Sequence, residues 1–103
     1  MRLIIATAPC DIAPELARTL VEGRLAACVN IVQKVRSIYY WKGKIEDDQE
    51  ALMLFKTTAE KVDSLTKRLK ELHPYDVPEI ISVEIQKGEG NSDYLDWVRE
   101  VLG

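Results

Sequence analysis

The stretch LAACVNIVQKVRSIYYWKGKIEDDQEALMLFK, Leu25–Lys56, decides how this chain folds. It contains no proline and a single glycine, Gly43, near its middle. From Ala27 to Trp41 it is rich in β-branched and aromatic residues (Val29, Ile31, Val32, Val35, Ile38, Tyr39, Tyr40, Trp41), which suit a pleated surface. Trp41-Lys42-Gly43-Lys44 marks a turn, because glycine accepts positive φ without a steric cost. Ala51–Phe55 is apolar throughout, as a strand buried on both faces is. The stretch predicts one long β-hairpin with arms of ~13 residues, against about 5–6 for an ordinary strand. Arms of that length outrun a domain of 103 residues. Their overhang needs a cover, and a second copy of the chain is the simplest one.

Upstream, Leu3–Thr7 is bounded by Pro9 and predicts a short buried strand. Asp11–Glu22 has helical spacing: Ile12, Leu16 and Leu20 recur every four residues, flanked by Ala13, Ala17 and Val21. Asp11 is expected to cap this helix and Pro14 to sit in its first turn. Gly23 is expected to end it in the left-handed conformation. Downstream, Thr57-Thr58-Ala59-Glu60 has the spacing of a capping box. It opens a helix that runs to about Leu72, with Val62, Leu65, Leu69 and Leu72 inward. His73-Pro74 stops that helix, and HPYDVP, His73–Pro78, predicts a stiff irregular connection. Ile80–Ile85 reads as a strand. Lys87–Gly90 reads as a loop, Asn91 or Ser92 as a cap, and Asp93–Leu102 as a last helix carrying Tyr94, Leu95, Val98, Val101 and Leu102 inward. The order β-α-β-β-α-β-α is an α+β, split βαβ or ferredoxin-like arrangement in a single domain, residues 1–103. Its antiparallel sheet has helices on one face. The other face is bare and apolar, which marks an interaction surface.

Composition narrows the function classes. A net charge of −3 lacks the electrostatic footprint of a nucleic-acid binder. No apolar run approaches the ~20 residues of a membrane span, and MRLIIATAP is too weakly apolar for a signal-peptide core. A cytoplasmic protein is expected, in which Cys10 and Cys28 form no disulfide framework.

Few residues offer chemistry. His73 is the only histidine. It is either a helix-ending residue bonded to nearby backbone or a functional group beside Tyr75, Asp76 and Glu79, able to bind a transition metal or transfer protons. Cys28 reads as a small buried hydrophobe, and Cys10 as a thiol near a helix start. Glu46-Asp47-Asp48 and Glu50 read as a solvated strand end that discourages edge pairing, or as weak oxygen ligands for a divalent cation. Tyr39, Tyr40, Trp41 and Trp97 suit either packing between subunits or stacking on a planar ligand. Lys56 ends an apolar strand, as a snorkelling side chain or an anion ligand. There is no Walker-type loop, no GxSxG and no CxxC, and no enzymatic activity is expected.

The motifs together resemble the CutA family, the divalent-cation tolerance proteins. They are TAP at Thr7–Pro9, LAACVNI at Leu25–Ile31, S-x-Y-x-W-x-GKIE from Ser37 to Glu46, FKTT at Phe55–Thr58, HPYDVPEI at His73–Ile80 and DYLDW at Asp93–Trp97. The resemblance implies a ferredoxin-like subunit in a homotrimer with PII-like architecture, in which each long hairpin extends a neighbour's sheet. It implies tolerance of divalent cations, copper above all, with His73 and Glu79 as the metal-ligand candidates. Ala6 occupies the position of the family's copper-ligating cysteine, and Leu72 that of a second histidine. It further implies an inter-subunit cleft lined by Tyr39, Trp41, Glu46, Lys56, His73, Tyr75 and Trp97. Two functions follow: a metal-binding protein of cation homeostasis, or a PII-like scaffold that binds a small anionic ligand in that cleft.

Overall fold

The hairpin is formed by β2 (Cys28–Trp41) and β3 (Lys44–Thr57), with 14 residues in each arm. The computed structural model describes all residues, Met1–Gly103. The other elements are β1 (Arg2–Ala8), α1 (Ala13–Glu22), α2 (Val62–Leu72), β4 (Ile80–Glu84) and α3 (Ser92–Leu102), with a 3₁₀ turn at Ala59–Lys61 before α2. The four strands make one antiparallel sheet in the order β2-β3-β1-β4, the ferredoxin-like order expected from the alternation of strands and helices.

The sheet is buried on the side that carries α1 and α2. Cross-strand pairs Ile4–Phe55, Ala6–Met53 and Ala8–Ala51 point into that side and meet Leu16, Leu20, Leu65 and Leu69. Each large side chain fully buried there contributes about 1.5–3 kcal/mol. Small alanines on the strands let the helices approach closely. The alternate positions, Leu52 and Leu54 on β3 and Ile81 and Val83 on β4, face the side without these helices and stay partly exposed. α3 anchors at one end of the sheet by packing Val98 and Leu102, with Val101 beside them, on Ala27 and Met1.

β1 pairs only with Ala51–Thr57 of β3. Lys44–Glu50 therefore have β2 as their sole partner, and this distal half of the hairpin projects beyond the rest of the sheet. It gives the molecule its 44 Å long axis against 26 and 22 Å across. A bulge marks where the projection begins: Val32 pairs with Leu52 and Val35 with Glu50, so Gln33 and Lys34 together oppose Ala51. Such an extra residue bends the strand and increases its twist. At the tip, Lys42 (φ 50°) and Gly43 (φ 80°) both adopt positive φ, the two-residue type I′ turn whose twist matches the flanking strands.

Several local expectations are corrected. Asp11 does not cap α1; Ile12 holds that position and no side chain caps it. Gly23 is not left-handed, at φ −79°, and the left-handed residue is Arg24 at φ 55°. Arg24 N–H donates to Val21 O and Leu25 N–H to Leu20 O, both at 3.0 Å, the paired bonds of a Schellman ending. Glycine suits position 23 because a Cβ there would lie 3.3 Å from Thr19 O. The capping box does not form: the Thr57 hydroxyl donates inward to Leu25 O at 2.7 Å, tying β3 to the segment before β2. Glu60 is instead held below the usual carboxylate range by its own backbone N–H and by the Thr58 hydroxyl. The cap expected at Asn91 or Ser92 does form, at Asn91, whose side chain accepts from Asp93 N–H at 3.1 Å. Tyr94 is only partly covered on α3, 40% exposed beside Trp97, with ring centroids 5.6 Å apart.

Candidate functional site

A cavity of about 660 Å³ lies between the projecting hairpin and the segment that follows α2. That size falls within the range of small-molecule sites. Strand alternation builds one wall. Ser37, Tyr39 and Trp41 share a face of β2, and their partners Asp48, Glu46 and Lys44 continue it on β3. Two residues further along β3, the same face presents Glu50. Pro74, Tyr75, Asp76, Val77 and Glu79 form the opposite wall, and Thr7 lies at the end of β1.

His73 fixes that opposite wall. Its backbone is extended (φ −77°, ψ 136°), as the residue before proline must be, and this ends α2. The residue is 8% exposed, and its Nε2 lies 2.8 Å from Thr7 O. Nδ1 accepts from Tyr75 N–H at 3.2 Å, so Nε2 carries the proton and donates to Thr7. The Tyr75 ring tilts over the imidazole, with centroids 4.7 Å apart. Histidine thus ties the end of β1 to the first turn of the HPYDVP segment and points Tyr75 at the hairpin.

Tyr75 Oη donates to Glu50 Oε2 at 3.1 Å. Burial, with the Glu50 carboxylate next in effect, pushes the Tyr75 phenol up to about 12. Tyr39 Oη donates to Asp48 Oδ2 at 2.7 Å, and that bond is the main reason its phenol is also pushed up to about 12. Both phenols therefore remain neutral donors to carboxylates through the physiological range. On the opposite face of the hairpin, Asp47 takes a bidentate pair of bonds from Arg36, which lowers the Asp47 carboxyl.

The cavity brings together Tyr39, Trp41, Tyr75 and Glu79 from the residues singled out in the sequence. Four others lie outside its lining. His73 stands behind the wall. Glu46 pairs with Tyr39 across the hairpin. Lys56 lies far along β3, where its ammonium bonds to Asn30. Trp97 is on α3 beside Tyr94, whose phenol is pushed up by burial and by a hydrogen bond with Cys28. The residue that sequence reading missed is Glu50. Grouped with the solvated acidic run, it is in fact 5% exposed and held by Tyr75. The available signal was its period-two relation to Glu46 and Asp48, which places all three on the face of Tyr39 and Trp41.

The lining carries Glu50, Asp76 and Glu79 and no lysine, arginine or histidine. An acidic wall does not suit the small anion expected of a PII-like cleft. A metal centre does not fit this chain's own residues either. Both His73 nitrogens are already engaged, and no three His, Cys, Asp or Glu side chains converge on a common point.

The family model described as CutA1 divalent ion tolerance protein matches residues 2–101. The divalent-cation tolerance protein CutA of Thermus thermophilus is 50% identical over 102 residues, covering 98% of this chain and 97% of that protein. Its solved structure superposes with a TM-score of 0.92 over the whole of both chains. Human protein CutA is 50% identical over 90 residues, 87% of this chain but 49% of the human one, so the chain spans about half that relative's length. A structure described as the PII-like protein CutA from a Nostoc species superposes with a TM-score of 0.94 at 32% identity, covering all of this chain and 98% of that one.

Proposed function

This chain belongs to the CutA1 divalent ion tolerance family, and from that premise we propose that it acts in divalent-cation tolerance as a PII-like homotrimer responding to a small ligand. The observation that carries this reading is the cavity between the projecting hairpin and the His73–Glu79 wall. It has the volume of a ligand site, one wall fixed by the His73 hydrogen bonds and Pro74, and the 14-residue arms of the hairpin opposite.

Assembly is supported by what one subunit leaves uncovered. Ile38, Tyr40 and Ile45 on the overhang are 63%, 77% and 65% exposed, and Ile81 and Val83 on β4 are also open. An apolar projection at one end and an open apolar strand at the other make a head-to-tail contact, which closes into a ring when the rotation permits. Cavities beside the hairpin then lie at the seams.

Binding is favoured over catalysis, since the one well-buried carboxylate of the lining, Glu50, is tied to Tyr75 and no histidine, cysteine or lysine joins it there. Copper held by His73 and Glu79 has less support, because His73 offers no free lone pair. The cytoplasm suits the free thiols Cys10 and Cys28. No helix is long and apolar enough to cross a membrane.

The test is fluorescence of the assembled protein, with Trp97→Phe leaving Trp41 as the reporter. A saturable change on titration with some metabolite class supports ligand sensing. A signal unchanged across cationic, anionic and neutral panels contradicts it.

A further inference from the structure

We propose that the cavity binds a primary alkylammonium ion, an aliphatic amine or diamine, rather than a metal ion or an anion; this names the ligand class for the site proposed above and rests on that reading. Glu50 is the anchor. It is 5% exposed, and its Oε2 accepts from Tyr75. Its second oxygen is engaged by no side chain, and the residue lines the cavity. A carboxylate so withdrawn from water, with half its acceptor capacity free, is matched by an ionised donor able to point an N–H at it.

The remaining walls select the kind of cation. Tyr39, Trp41 and Tyr75 bring three aromatic rings to the cavity. A ring face attracts an ammonium group and also covers the alkyl stem behind it. Trp41 already does so within the chain, with Lys42 Nζ 5.7 Å from its ring centroid. Asp76 and Glu79 on the opposite wall add negative charge for a second ammonium. A bare divalent cation would need several oxygens converging on one point, and this chain does not provide them. From this chain an anion would meet three carboxylates and no basic side chain.

The probe is 1,4-diaminobutane, titrated into the full-length assembled protein in the Trp97→Phe background, with Trp41 fluorescence and calorimetry as readouts. Glutarate serves as an anion of similar length, and Mg²⁺ and Cu²⁺ as metal controls. The expected result is saturable diamine binding that Glu50→Gln weakens about tenfold or more, the effect of losing one charge-assisted hydrogen bond. Trp41→Leu should weaken it as well. Unaltered sedimentation and thermal midpoint in Glu50→Gln separate loss of binding from loss of fold. If that variant misfolds, Glu79→Gln, on the exposed opposite wall, replaces it with the same expectation of weaker binding. Diamine binding that neither charge substitution affects overturns the proposal. So does preferential binding of glutarate or a metal ion, although ligand sensing at the site would then survive. Silence from every probe overturns both.

Discussion

His73 is clasped between Thr7 O and Tyr75 N–H, and its removal is a structural lesion before it is anything else. His73→Ala leaves a buried carbonyl without its donor, and we expect a loss of about 1–3 kcal/mol in chemical denaturation. The copper isotherm should be the same with and without the imidazole, and a copper affinity that falls in the variant would restore the histidine as a ligand. Tyr75 gives a pH signature. Its folded phenol is raised from 10.0 to about 12, so the neutral form is favoured in the native state. That contribution is complete below pH 10 and is lost as the pH rises towards 12. The denaturation midpoint should fall across this window, and Tyr75→Phe should flatten the fall. At this scale the sequence was only partly legible. The two readings of His73 were both open, and hydrogen bonding to backbone across 66 residues leaves no local trace. Glu50 was hidden because the burial of one carboxylate in an acidic run depends on a partner, Tyr75, 25 residues away.

The hairpin was the most legible element, since fourteen-residue arms with β-branched and aromatic residues around a single glycine admit few other structures. Helices α1 and α2 were equally clear from their four-residue spacing, and their ends fell within two residues of those expected, apart from the 3₁₀ turn before α2. The caps of α1 and α2 were the failures, and for one reason, whereas Asn91 caps α3 as expected. Several residues near each helix end can cap it, and tertiary partners decide: Thr57 turned to Leu25, and Arg24 took the left-handed position beside Gly23. The hairpin tip offers a test of backbone strain. Lys42 holds φ 50°, where asparagine is more at ease in a type I′ turn. Lys42→Asn should raise stability by up to about 1 kcal/mol, read from the urea midpoint. A lower midpoint would show that the contact of Lys42 with Trp41 outweighs the strain.

On the scale of the whole molecule, the sheet order and bare apolar face were legible from the alternation of elements, and the cavity was not. It is made by the height of the HPYDVP wall over the overhang, and distances between segments far apart in sequence are not written in either one. The same overhang governs assembly. Tyr40→Asp or Ile45→Asp would place a charge in the proposed seam, and either should shift the protein toward monomer without altering the helical circular dichroism of the domain. An unchanged assembly in both would remove the distal hairpin from the interface. The most direct measurement is sedimentation equilibrium of the unmodified chain at micromolar concentration. A single species of about three times the 11.7 kDa chain mass is the predicted result; a monomer of 11.7 kDa would contradict the seams and the sites placed at them.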